Sequence, residues 1–166
     1  MNMKISSRKM ALTGLFIALE VLLSSTSIPV GPSRVMPLQH TLNAVCGILL
    51  GPWYAALAGL FTAVIRVSLG TGTIFAFPGS IFGGLVVGCF YRFFKRDEAA
   101  FAEPLGTALI GGVLSGLVFA PAIGTTGSTW YFVYIFALSS VPGAILGFFL
   151  IKLLRKILPE KLWEGL

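Results

Sequence analysis

Long apolar runs whose charges sit mainly at their ends constrain this chain more than any other feature. Six such runs, broken by Pro, Gly and charge, predict helices over about 9–27, 38–50, 52–69, 78–94, 104–122 and 130–156. With 56% hydrophobic and 11% charged residues, the 166-residue chain lies far outside the composition of soluble globular proteins. The bilayer is the solvent such a sequence suits. A helix crossing about 30 Å of hydrocarbon needs roughly 20 mostly apolar residues, which leaves room for six or seven spans and none for a soluble domain. The expected fold is an all-α membrane protein of six transmembrane helices, forming one integral membrane domain over residues 1–166.

The net charge of +6 and pI near 9.7 do not point to nucleic acid, because the basic residues sit at helix ends and do not gather on one solvated face. With the N-terminus inside, Lys4, Arg8, Lys9, Arg92, Lys95, Arg96, Lys152, Arg155, Lys156 and Lys161 are cytoplasmic, and Arg34 and Arg66 alone fall on the outer half. Ten against two is a strong positive-inside signal and places both termini in the cytoplasm. The segment from Lys4 to Ser27 also has the outline of a secretory signal, but Glu20 is out of place in one, and its loss would upset the charge pattern. Cys46 and Cys89 lie in different apolar runs and read as small hydrophobes.

The second helix is anomalous. Thirteen residues give roughly 20 Å, too short to cross. Before it runs Ile28-Pro-Val-Gly-Pro-Ser-Arg-Val-Met-Pro37, whose three prolines and glycine forbid regular helix. Irregular backbone at membrane depth is tolerated where protein buries it or where it lines a cavity, so a pocket is expected near the outer leaflet with this segment as wall or lid. Lys95 to Pro104 reads as a polar cytoplasmic loop. Small residues recur at four-residue spacing: Gly79 and Gly83, Gly84 and Gly88, Gly112 and Gly116, Gly143 and Gly147, with Gly14 and Ala18 on the first helix. Such pairs pack helices within one bundle or dock a membrane partner; Gly14 and Ala18 are the best docking candidates.

Polar side chains are scarce here, so those at membrane depth are informative. Gln39, His40 and Asn43 open the second helix, and the i, i+3 spacing puts His40 and Asn43 on one face. A lone histidine is more often a satisfied packing residue; beside Asn43 and below a proline-rich segment, ligand contact is the stronger reading. Arg66, near the outer end of the third helix, would cost about 2.5 to 3.5 kcal/mol at bilayer centre without a partner. It reads equally as a wall of the binding site and as a cap on the helix C-terminus, and Glu20 is a possible ion-pair partner. Thr71, Thr73, Phe77 and Ser80 follow in a Gly-rich external segment that is either an ordinary loop or a set of ligand donors. Trp130, Tyr131 and Tyr134 reach the same level as an interfacial belt or as stacking partners for a flat ligand. One histidine in the chain and no nucleophile elbow exclude the usual metal and hydrolase sites; no catalytic residue, metal or cofactor is expected.

Pro29-Val-Gly-Pro32, Pro37-Leu-Gln-His40, Asn43, Leu50-Gly-Pro-Trp-Tyr-Ala55, Arg66, Leu69-Gly-Thr-Gly-Thr73 and Phe77-Pro-Gly-Ser80 together resemble the ThiW family. Such proteins look like substrate-binding S components of energy-coupling-factor (ECF) vitamin transporters, assigned to hydroxyethylthiazole, the thiazole precursor of thiamine. The resemblance implies a multi-pass subunit of a prokaryotic plasma membrane without its own ATPase. It would capture a small molecule from outside and dock on a membrane coupling protein bearing two ATPases. The family's docking motif on the first helix is commonly Ala-xxx-Ala; here the spacing is kept as Gly14-xxx-Ala18.

Overall fold

The computed structural model describes residues 6–31 and 33–158. Lys4, Pro32 and Lys161, which entered the charge and lead-in arguments, lie outside the described residues. Helix α1 (Ser7–Leu23) starts at Ser6, whose Oγ accepts from the Lys9 N–H. It ends in a 3-10 turn, Ser24–Thr26, where three hydroxyls in a row donate to the carbonyls of Val21, Leu22 and Leu23 and so compete with further helix. The proline-rich lead-in is an antiparallel hairpin of β1 (Ile28–Val30) and β2 (Ser33–Val35), pairing Ile28 with Val35, Pro29 with Arg34 and Val30 with Ser33. Two short edge strands tolerate Pro29, and Gly31 takes the positive φ of +57° at the turn.

Helix α2 (Pro37–Leu50) begins with proline at its first position, and Gly51, at φ +86°, hands the chain to α3 (Pro52–Ser68). Every residue of α2 from Gln39 to Ile48 is buried, so this helix is the centre of the bundle. Leu42, Val45, Cys46 and Ile48 pack there with Phe16, Ala55, Val87, Ala100 and Ile151. Close approach needs glycine: a Cβ on Gly47 would meet the Gly84 carbonyl at 2.7 Å, and one on Gly143 would meet the Cβ of His40 at 2.6 Å. The other pairs named above also face neighbouring segments, whereas Gly14 has nothing within 4 Å of its Cβ position and is exposed together with Ala18.

Helix α4 spans Ala76–Phe94, with Pro78 inside the first turn where no N–H partner is lost. The helical stretch that follows, α5 (Asp97–Ala122), corrects the expected polar loop: only Lys95 and Arg96 separate the two helices. Its first turns are 3-10, Asp97–Ala102, and it then alternates π and α turns. Small side chains explain the difference, since Ala99, Ala100 and Ala102 fit against the bundle while Asp97 is held by Arg155 at 2.8 Å. Helix α6 (Thr129–Ile157) is the longest and carries Pro142 in its interior. Among the described residues, four stretches are long and apolar enough to cross a membrane: Ser7–Thr26, α4, α5 and α6. Helices α2 and α3 are shorter, about 21 and 26 Å.

Candidate functional site

The N–H of Met36, just before α2, donates to Ser139 Oγ at 3.0 Å. Ser139 lies ten residues into α6, about 15 Å from its start. The buried helix therefore begins well below the end of the bundle, and a cavity of about 860 Å³ fills the recess above it. The first turn of α2 is its floor, and that helix end directs the positive end of its dipole into the space. The 3-10 turn after α1, the hairpin, the end of α3, the segment 70–75, the start of α4, the loop 125–127 and the first turns of α6 wall it.

Two polar relays order the floor. Arg66 Nη1 donates to Gln39 Oε1 at 2.6 Å, and Gln39 Nε2 donates to Ser80 Oγ at 2.7 Å, so three helices fix one amide. Arg66 Nη2 adds contacts to Met36 Sδ at 2.9 Å and to the Thr71 carbonyl at 3.3 Å, while the Thr71 and Gly72 N–H groups donate to the Arg66 carbonyl. Arg66 thus both closes the end of α3 and faces the cavity. In the second relay His40 Nδ1 meets Glu103 Oε1 at 2.8 Å, and Asn43 Nδ2 and Thr107 Oγ1 donate to the same oxygen at 3.3 and 2.7 Å. At the rim, Ser33 Oγ and the Tyr131 hydroxyl lie 2.8 Å apart and tie the hairpin to α6.

Of the side chains singled out in the sequence, Gln39, His40, Arg66, Thr71, Thr73, Ser80 and Tyr131 line this one cavity. Asn43 sits beneath it, 2% exposed, on Glu103. Phe77, Trp130 and Tyr134 do not line it, and Trp130 and Tyr134 are 76% and 60% exposed. The aromatic wall is instead Tyr131, Phe132 and Phe136 on α6 with Phe75 before α4, and the Phe75 and Phe132 rings lie 4.7 Å apart. Helical spacing carries that signal: 132 and 136, like 131 and 135, share a face that 130 and 134 do not. Thr62 Oγ1 donates to Glu20 Oε2 at 2.7 Å, and no Glu20–Arg66 ion pair forms among the described residues. Glu103 went unrecognised because it sits where the sequence reads as loop. Among the described residues, no three His, Cys, Asp or Glu side chains are grouped to hold a metal ion.

Such a site can bind: it offers flat apolar faces, two guanidinium groups, several hydroxyls and an imidazole, and no carboxylate in the wall. The family model described as "Thiamine-precursor transporter protein (ThiW)" matches residues 10–157. A UPF0397 protein of Streptococcus sanguinis (strain SK36) is 32% identical over 97 residues, 57% of this chain, and the match spans only 54% of that relative's length. A UPF0397 protein of Streptococcus pneumoniae serotype 19F (strain G54) is 28% identical over 131 residues, 70% of this chain and 71% of the relative. The chain belongs to the ThiW family of thiamine-precursor transporter proteins, and is a membrane transport component, not an enzyme.

Proposed function

We propose that this protein is the substrate-binding S component of an ECF-type transporter, and that the recess above α2 captures hydroxyethylthiazole from outside the cell. The observation that carries the reading is the cavity itself: a polar floor of Gln39, His40, Arg66 and Ser80 beneath an aromatic wall of Phe75, Tyr131 and Phe132. A thiazole ring presents apolar faces to such a wall and a ring nitrogen that accepts from a hydroxyl or guanidinium N–H. Its side-chain alcohol falls to the imidazole. All six helices count as spans in this reading, with α2 and α3 completed by the hairpin and the segment 69–75. Both termini are cytoplasmic, as the positive-inside count requires. The exposed face of α1 around Gly14 and Ala18 docks on the membrane coupling protein, whose paired ATPases supply the energy.

The test is the melting temperature of the purified protein in mild detergent with hydroxyethylthiazole, thiamine and unrelated vitamins. A ligand at a hundred times its dissociation constant stabilises by about 2.7 kcal/mol, so a selective upward shift is expected for the thiazole alone. No shift with the thiazole, or an equal shift with every vitamin, defeats the assignment.

A further inference from the structure

Glu103 makes no part of the cavity wall and is 0% exposed, yet three groups from two helices converge on its Oε1: His40 Nδ1, Asn43 Nδ2 and Thr107 Oγ1. Its Oε2 has no hydrogen-bond partner among the described residues. Placing a carboxyl group there is costly, and the fold makes room for it: Gly83 on α4 lies so close that a Cβ would strike the Glu103 carboxylate and the Thr107 hydroxyl. A buried acid accommodated in this way calls for a task, and of its hydrogen-bonding partners among the described residues it is His40 that lines the cavity.

We propose that Glu103 is a positioning residue that sets which hydrogen bond the cavity offers its ligand. Glu103 Oε1 already accepts from Asn43 Nδ2 and Thr107 Oγ1, so the imidazole nitrogen facing the same oxygen, Nδ1, carries the proton. Nε2 is then left with its lone pair. That nitrogen makes no hydrogen bond within the protein among the described residues, and His40 lines the cavity. Gln39 Oε1 is already taken by Arg66, and the wall has no carboxylate. His40 Nε2 is thus the ring or amide group that can only accept, and it selects a ligand that donates at that point. An alcohol fits there; an ether or a hydrogen-terminated analogue does not.

This inference rests on the cavity being the thiazole site, and two measurements separate the two claims. The chain has a single histidine, so nitrogen NMR of isotopically labelled imidazole reads His40 without assignment. At about pH 8, where an unperturbed imidazole is neutral, the expected wild-type spectrum shows Nδ1 protonated and Nε2 bare. Glu103→Ala should move the proton to Nε2, and Glu103→Gln, whose amide carbonyl still accepts, should keep it on Nδ1. Second, wild-type protein should prefer hydroxyethylthiazole roughly tenfold over both its methyl ether and the thiazole lacking the hydroxyl. In Glu103→Ala that preference should fall towards one, with affinity for the hydroxyl-free analogue changed less than about twofold. An imidazolium or Nε2–H ring in wild type overturns the proposal. So does an alcohol preference that survives Glu103→Ala. If no thiazole binds while the Nδ1–H ring is seen and depends on Glu103, the ligand assignment falls and the orienting role of Glu103 stands. The wild-type spectrum and wild-type preference need no variant, so poor folding of Glu103→Ala leaves both decisive.

Discussion

Arg66 is 4% exposed and bonds to an amide, a thioether sulfur and a carbonyl, and to no carboxylate among the described residues. Its charge is tolerable because Gln39 Oε1 is held at 2.6 Å and cannot turn away, the other end of the amide being bonded to Ser80. Gln39→Leu removes the acceptor and leaves a buried guanidinium N–H unsatisfied, so the ligand-free protein should lose about 1 to 3 kcal/mol, read as a lower melting temperature. Thr62→Val should act similarly, because it strips from the buried carboxyl of Glu20 its one hydrogen bond among the described residues, where the other oxygen already lacks one. Trp130→Ala and Tyr134→Ala should leave ligand affinity within about twofold, since both side chains are exposed away from the cavity. The contrast explains what was legible at this scale. Gln39, His40, Asn43 and Arg66 stand out because a polar group in an apolar run has no cheap reason to be there. Glu103 had no such background, lying just after Lys95-Arg-Asp-Glu98, where one more acid draws no notice.

At the scale of elements, the cavity is a consequence of one helix being short and central. The shortness of α2 could be read by counting residues between Pro37 and Gly51, and its proline-rich lead-in announced a break in helical structure. The hairpin could not be read, because Pro29 and Gly31 argue against strand as strongly as against helix; pairing of two three-residue edges decided it. The early start of α5 was hidden for the opposite reason: Asp97-Glu-Ala-Ala-Phe-Ala102 has helix-forming composition beneath a polar surface, and packing on the bundle selected the fold. Glycines divide by what faces them. Gly47→Ala pushes a methyl into the Gly84 carbonyl and Val87, and should destabilise by about 1 to 3 kcal/mol. The Cβ position of Gly14 has nothing within 4 Å, so Gly14→Leu adds its bulk on the exposed face of α1. It should leave the ligand-induced melting shift intact while uptake in cells carrying the coupling proteins is lost; retained uptake would free α1 from any docking role.

For the whole molecule, the recess is useful only if it opens on the side from which substrate comes. The hairpin, the end of α3, the loop 125–127 and the start of α6 share that end, and Arg34 and Arg66 are its basic residues among those described. The opposite end carries Arg92, Lys95, Arg96, Lys152, Arg155 and Lys156, the arrangement expected where Lys and Arg stay in the cytoplasm. Four stretches reach across by length and composition, and the two that fall short lie side by side in sequence, joined at Gly51 and Pro52. Cysteine labelling reads the outcome directly. With Cys46 and Cys89 replaced by alanine, Ile28→Cys, at a position 53% exposed on the hairpin, should react with a membrane-impermeant maleimide on intact cells. Phe93→Cys, 81% exposed near the far end of α4, should react only after permeabilisation. The reverse pattern would turn the cavity to the cytoplasm, and an uptake subunit that meets its substrate there would have nothing to capture.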